Sequence, residues 1–397
     1  MNIKGVRLKK NSVLLFLFFL NSHLLFSDDS VSVRIFATQT INTFIFSPTE
    51  GSYNIYGDGV LITDCDASGI FQMSIEKGGI SLRTFEAEIG QYTAIKIVTK
   101  TGASAFKIKC VAPLSSVRIY DDELQVTLTS DKSQLLLINK VGLESYIAGV
   151  VQSESGRSNN IEYYKLQAIL CRTYLLAHLS RHADGGFEVC DDVHCQAYLS
   201  RATENIVKNA VTSTKGLVVV DNNLNLITAA FHSNCGGQTC NSEDVWAIPT
   251  TYLKSVNDSF CTRRVHSSWE RTITYDDWKD YLKAKGKKEP DALVKKSESL
   301  PFYQENSRAI YYVDGNFKIP LKTIRNDFKL KSTFFSIEQN GNNVVFKGRG
   351  YGHGVGLCQE GAMEMSKMNY TYLDILNYYY KDVSVVDLRA LNYFKQE

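Results

Sequence analysis

Hydrophobic and polar residues alternate in short runs over the first third of the chain. "VSVRIFA" (31–37), "INTFIFS" (41–47), "GSYNIYG" (51–57), "GVLITDC" (59–65), "TAIKIVTK" (93–100), "FKIKCVA" (106–112), "LQVTLTS" (124–130) and "QLLLINK" (134–140) are separated by Gly, Asp and Ser turns. A period of two with β-branched residues is the signature of half-buried strands. No helical period appears before residue 140, so 28–135 reads as a β-rich region.

The pattern changes at about 159–182, "NNIEYYKLQAILCRTYLLAHLSRH". Ile161, Tyr164, Ala168, Cys171, Leu175 and Leu179 recur at three and four, which predicts one long amphipathic helix. Ser158 or Asn159 can cap its start, and "DGG" at 184–186 ends it. A second helix is expected at about 203–214, followed by strands in "GLVVVD" and "LITAAFHS". Residues 270–300 are densely charged and predict a solvated helix and loop rather than an anion site. "EGAMEMSKM" and "YLDILNYYY" predict short helices near the end. The fold class that follows is mixed α+β, with no internal repeat.

One stretch breaks the pattern. "GRGYGHGVGLCQEGA" (348–362) has glycine at 348, 350, 352, 354 and 356. In an extended chain this spacing leaves one face bare and puts Arg349, Tyr351, His353, Val355 and Leu357 on the other. Glycine weakens a strand interior, so the repeat implies that something approaches this backbone closely. Two readings follow: a polar ligand lying against the bare face, ranked first, or tight packing of this strand on another part of the chain.

Composition changes the picture mainly at the N-terminus. The 397 residues are 44% hydrophobic and 22% charged, with six prolines, as expected of a globular chain with a large core. The formal charge is +2, but Lys4, Arg7, Lys9 and Lys10 lie in residues 1–27 with no acid; taking four positive charges from +2 leaves −2. A nearly neutral body argues against nucleic-acid binding. After that basic start comes "SVLLFLFFLNSHLLF", too short and interrupted for a full span, so 1–27 reads first as an export signal and second as an uncleaved anchor. Nine cysteines fit an oxidising compartment, and the odd number leaves at least one thiol unpaired within the chain. Short-loop disulfides are expected at 190/195 and 235/240.

Candidate chemistry sits in a few places. Glu144 and Glu154 bracket an apolar segment in "LESYIAGVVQSESGRSNN" (143–160). Glu154, expected at a strand-to-helix junction on Ile147, Val150 and Val151, would be partly desolvated. Desolvation raises a carboxyl pKa and suits it to general-acid work. The alternative is an ordinary solvated or capping glutamate. "VCDDVHCQAY" (189–198) offers Cys190, His194 and Cys195, with His182 or His178 as a fourth zinc ligand. Export favours a Cys190–Cys195 disulfide over metal there. No G-x-S-x-G elbow, P-loop or G-x-G-x-x-G is present, and no local signature supports a papain-like nucleophile at Cys235 or Cys358.

Taken in order, "LESYIAGVVQSE", "KLQAILCRTYLLAH", "VCDDVHCQAY", "AVTSTKGLVVV", "AAFHSNCGGQT", "VWAIPTTYLKSV" and "GRGYGHGVGLCQEGAMEMSK" closely resemble the SpoIID/LytB family of stage II sporulation protein D and amidase-enhancer proteins. The resemblance covers roughly 140–385 and implies a catalytic domain over 136–390 with a substrate groove. It implies a lytic transglycosylase that cuts the MurNAc-β-1,4-GlcNAc bond of peptidoglycan, on strands already stripped of peptides, alongside an N-acetylmuramoyl-L-alanine amidase. The family's catalytic glutamate corresponds to Glu154, although "EMP" is replaced here by "ESG". Some members bind zinc near the "HCQ" block; no cofactor is required for the chemistry. The chain would act outside the cytoplasm, in periplasm, cell wall or at the outer face of the cytoplasmic membrane, touching membrane only through an uncleaved N-terminal segment.

In a lytic transglycosylase, the muramic acid's own 6-hydroxyl attacks, so one carboxyl can serve in place of the two that ordinary glycoside hydrolysis needs. Arg349, Tyr351, His353 and Gln359 are then the expected sugar contacts, with Gln196, His232 and Ser233 as weaker candidates. A non-catalytic glycan-binding amidase enhancer is the alternative function. A two-carboxylate hydrolase using Glu154 with Glu144 or Asp191 is a third.

Overall fold

The computed structural model describes residues 30–395 except 101, 247, 288–301 and 305–306. The N-terminal segment 1–27 and residues 288–300 of the charged 270–300 stretch therefore lie outside the described residues; the rest of that stretch includes the expected helix, Tyr275–Ala284. Among the described residues, no helix is long and apolar enough to cross a membrane.

The alternating runs of the first third fold as two sheets. A seven-stranded sheet places Ser30–Ile35 against Leu135–Gly142, then Glu123–Leu128, Ala94–Thr99, Tyr53–Gly57 and Val60–Cys65, all antiparallel. A six-stranded sheet centres on Thr43–Glu50 between Ala105–Ala112 and Phe71–Glu76. Every second residue of Ser30–Ile35 is buried, as the period of two requires. Phe46 and Phe106 of one sheet pack on Tyr53 of the other at ring-centroid distances of 5.8 and 6.1 Å. The fold class is mixed α+β, as expected.

The last strand of the first sheet runs straight into a helix, α1 (Leu143–Glu154), where an apolar non-helical segment was expected. A loop of six residues then leads to α2 (Ile161–Ala177). The helix α2 ends five residues short of the expected 182, and its cap is Asn160, whose side chain accepts from the Glu162 N–H. Tyr163, Leu166, Gln167, Ile169, Leu170 and Arg172 are buried along with Tyr164, Ala168, Cys171 and Leu175 of the stripe, while Ile161 is exposed, because α2 is packed on several sides. The short strand Val189–Cys190 returns to pair in parallel with Ser30–Ile35. Helix α3 (Asn205–Ser213) follows, inside the expected range.

A single hydrophobic core runs continuously from Val31 in the first sheet through α1 and α2 to Tyr380. A separate small core gathers Trp278, Tyr312, Ile324, Ile337 and Phe346 from the later elements between residues 278 and 346.

The glycine stretch is not an extended ribbon. The strand ends at Arg349, and Gly350, Gly352, Gly354 and Gly356 all have positive φ, +79, +117, +85 and +70°. Positive φ turns the chain at alternate residues, so the expected bare face does not exist. The chain itself fills the space that a ligand was expected to occupy. A Cβ on Gly356 would lie 2.2 Å from the Ala230 carbonyl oxygen, and one on Gly350 would lie 2.6 Å from that of Asn234. The glycines thus seat this segment against residues 230–240, with Phe231–His232 pairing in parallel with Leu357–Cys358. The packing alternative holds.

Candidate functional site

Glu154 is the last residue of α1, so the junction that presents it is helix to helix rather than strand to helix. The carboxyl is half-buried, and its Oε1 accepts the Ala197 N–H at 2.7 Å. Desolvation holds its pKa above the ordinary carboxyl value, with the nearby Asp192 charge acting the same way and the Ala197 hydrogen bond opposing both. Its position adds to this. The last turn of α1 carries no basic residue, and a helix C-terminus has partial negative charge that disfavours a carboxylate. A carboxyl of this kind can hold a proton where a solvated glutamate has lost it.

The wall beside Glu154 comes from the residues after the glycine stretch. Leu357–Cys358 leads into the helix Gln359–Lys367, and Gln359 Nε2 donates to the Glu154 carbonyl at 3.1 Å. Gly156, just beyond Glu154, lies next to the Met363 methyl. Glu360 is buried; its Oε2 accepts from Asn234 Nδ2 at 2.6 Å and its Oε1 lies 2.7 Å from His266 Nδ1. The His266 ring in turn stands 5.3 Å from the ring of Tyr351, which is 43% exposed. Gln359 thus holds the backbone end of α1, and the next residue, Glu360, is linked through His266 to the exposed ring of Tyr351. Asn234 and His266 were not singled out from the sequence. Their signal was the polar cluster "HSN" and an isolated histidine, neither of which carries its partner's identity.

The other expected sugar contacts are occupied by the chain itself. The Arg349 guanidinium stacks 3.8 Å from the Phe334 ring and donates to the Gln304 carbonyl. His353 accepts the Val355 N–H on Nδ1 at 3.0 Å, and its Nε2 meets the Phe231 carbonyl at 2.9 Å. Burial lowers its pKa to about 4, so it is a neutral imidazole with both nitrogens engaged. It lines a cavity of about 120 Å³ with Trp246, Arg308 and Arg325, a cavity that Glu154 does not line. Gln196 is buried and bonds the Cys171 carbonyl. His232 is buried with Nδ1 on the Val355 carbonyl, and Ser233 accepts the Glu360 N–H on its backbone oxygen. Of the expected contacts, Tyr351 has an exposed ring, and Gln359 is buried with its amide on the Glu154 backbone carbonyl.

Two further carboxylates are committed elsewhere. Glu144 receives Arg172 Nε at 3.0 Å and Nη2 at 2.5 Å. Asp191 accepts the N–H groups of Phe36 and Ala37 and is paired with Arg118 at 2.8 Å. Each is tied into the fold, and neither serves as a free partner to Glu154.

The residues between α2 and Ala197 form a candidate metal centre. Cys190 and Cys195 are free thiols, not the expected disulfide, and Cys235 and Cys240 are free as well. One donor atom from each of His182, Cys190, His194 and Cys195 falls within 4.8 Å of the others. His182 Nε2 lies 3.3 Å from Cys195 Sγ, and His194 Nδ1 lies 3.7 Å from the same sulfur. His178 is not part of the group; it stacks on Tyr174. Two thiols and two imidazoles at this spacing suit tetrahedral zinc. The loop they would fix carries Ala197, whose N–H holds the Glu154 carboxyl.

A family model described as stage II sporulation protein, SpoIID, matches residues 131–220. Stage II sporulation protein D of Bacillus subtilis is 30% identical over 269 residues, covering 64% of this chain and 77% of that protein. An uncharacterized protein of Brachyspira hyodysenteriae is 27% identical over 263 residues, 65% of this chain and 70% of its own length. The amidase enhancer of Bacillus subtilis is 25% identical over 283 residues, 59% of this chain but 39% of the enhancer. The matched region begins in the turn before the strand Leu135–Gly142 and spans Glu154, α2 and the cysteine–histidine loop. The chain belongs to the SpoIID/LytB family.

Proposed function

We propose that this chain is an exported cell-wall enzyme, a lytic transglycosylase that cleaves peptidoglycan glycan strands with Glu154 as its single acid and base. The observation that carries this is the desolvated carboxyl of Glu154, while the two carboxylates considered as its partner, Glu144 and Asp191, are held by Arg172 and Arg118. Protonated Glu154 donates to the glycosidic oxygen as the C1–O bond breaks. The resulting carboxylate then takes the proton of the muramic 6-hydroxyl as that oxygen attacks C1, closing a 1,6-anhydro ring. Proton and bond counts balance without water, and the acid is regenerated.

Ala197 N–H orients the carboxyl throughout, and Gln359 fixes the end of α1 from the other side. Tyr351, exposed and backed by His266, offers an aromatic face on which a sugar ring can stack. His182, Cys190, His194 and Cys195 would hold zinc, which would serve to brace the loop that delivers the Ala197 N–H. An amidase that strips stem peptides from the same strands is the proposed partner, in keeping with the name of the amidase-enhancer relative.

The test is digestion of purified peptide-free glycan strands. Release of 1,6-anhydro-ended fragments that disappears in Glu154→Gln supports the proposal. Retention of strands with no fragments in the wild type would leave a glycan-binding amidase enhancer and refute the enzyme.

A further inference from the structure

A second group of metal-ligating side chains lies apart from the cysteine–histidine loop. Cys235, Asp258, Cys261 and Cys358 are each 0% exposed, and one donor atom from each falls within 4.8 Å of the others. They come from three separate segments: the residues 230–240 against which the glycine stretch packs, the 258–261 turn, and the strand end just before Gln359. The Cys235 and Cys261 sulfurs are 3.4 Å apart, and Cys235 Sγ is 3.2 Å from Asp258 Oδ2. In a tetrahedral zinc site with Zn–S of about 2.3 Å, ligand sulfurs stand about 3.8 Å apart, close to the spacing here.

The surroundings are arranged for negative charge. The Cys235 N–H donates to Cys358 Sγ at 3.3 Å, and the N–H groups of Gly236 and Gly237 face Cys261 Sγ. Phe260 and Cys261 N–H groups donate to Asp258 Oδ1, and Tyr379 hydroxyl donates to its Oδ2 at 2.8 Å. Yet among the described residues no Lys or Arg pairs with Asp258. A buried carboxylate among three buried thiols and no cation is costly unless an ion neutralises it. Thiolate-rich donor sets select soft divalent metals over calcium or magnesium.

We propose that Cys235, Asp258, Cys261 and Cys358 form a second, structural site for a zinc-class divalent ion. The ion replaces the thiol protons, which are released to solvent, and joins the three segments beneath the helix that begins at Gln359. The site is distinct in sequence and donors from the His182 cluster, and does not depend on the enzymatic reading.

The test uses the full chain in a Cys195→Ser background, which disables the first cluster, equilibrated with Zn²⁺ and counted by elemental analysis. One zinc per chain is expected, falling to none when Cys261→Ser or Cys358→Ser is added. X-ray absorption of the Cys195→Ser protein should show three sulfur neighbours and one oxygen. Zinc retained at full stoichiometry in both added variants overturns the proposal, as does a nitrogen-rich shell. Because the added variants could misfold, non-reducing peptide mapping of the wild-type chain stands as an independent check. A Cys235–Cys261 disulfide found there overturns the proposal, and free thiols after metal removal support it.

Discussion

Replacing Gly356 with alanine separates the two explanations of the glycine stretch. Gly356 sits at φ +70°, where an L side chain costs about 1–2 kcal/mol. The added Cβ would meet the Ala230 carbonyl oxygen at 2.2 Å and its carbon at 3.1 Å, backbone atoms that cannot swing aside. Displacing them adds an overpacking cost of about 1–3 kcal/mol. The same carbonyl accepts both the Leu357 N–H at 3.0 Å and the Tyr380 hydroxyl at 2.5 Å, so shifting it strains two more bonds at about 1 kcal/mol each. The total is about 4–7 kcal/mol. At about 2.1 cal/mol/K per residue, a chain of this size unfolding as one unit loses about 5–8 °C in Tm. Gly59, at φ +86° with nothing within 4 Å of a built Cβ, is the control. Gly59→Ala carries the backbone cost alone, about 1–2 kcal/mol and so about 1–3 °C. Differential scanning calorimetry of both variants decides the matter. Equal, small shifts combined with lost glycan binding in Gly356→Ala would mean that the glycines exist for a sugar, not for the 230–240 segment.

Three other substitutions probe the site and its frame. Glu154→Gln should abolish cleavage yet raise Tm at neutral pH. The folded-state pKa of Glu154 is raised, so its stabilising contribution is full below the ordinary carboxyl range and lost as pH rises through the folded value. The Tm gap between variant and wild type should therefore widen with pH, and a gap that shrinks would contradict a desolvated acid. In the wild type, kcat/KM should fall on an alkaline limb set above the usual glutamate pKa, since the acid must enter protonated. Arg172→Ala leaves Glu144 and the Leu217 carbonyl without their fully buried partner, and denaturant unfolding should show a loss of about 3 kcal/mol. Asp191→Ala frees two N–H groups and orphans Arg118, and should likewise destabilise by about 3 kcal/mol. Intact stability with abolished cleavage would instead make Asp191 the second carboxylate of a hydrolase.

The strands were legible because a half-buried sheet writes its period directly into the sequence, as in "VSVRIFA". Helix α1 was not, for a physical reason. Ile147, Val150 and Val151 are β-branched or favoured in strands, and Gly149 is a poor helix former. A Cβ at 149 would strike the Tyr198 ring at 2.4 Å, so tertiary packing demands what helix propensity disfavours. Glu154 was found because a motif marks it, whereas its raised pKa comes from burial in the fold and from the charge of Asp192, some forty residues on, against the Ala197 hydrogen bond. The glycine spacing was seen, but its meaning needed φ: alternate positive values turn an apparent flat face into a folded seam. Arg349 and His353 looked like ligand contacts because polar residues beside glycine often are. Their partners, Phe334, Gln304 and Phe231, are distant in sequence and close only in the fold. The cysteines were misjudged by proximity. Cys235 sits with Cys261 and Cys358 rather than with Cys240, a pairing set by three converging segments.

Digestion of peptide-free glycan strands in water enriched in oxygen-18 is the most direct measurement of a single-carboxyl mechanism at Glu154. Internal attack by the muramic 6-hydroxyl takes no oxygen from solvent, so fragment ends should be one water lighter than hydrolysis products and carry no heavy oxygen. Fragments with reducing ends labelled by oxygen-18 would show that water attacks, and would contradict it.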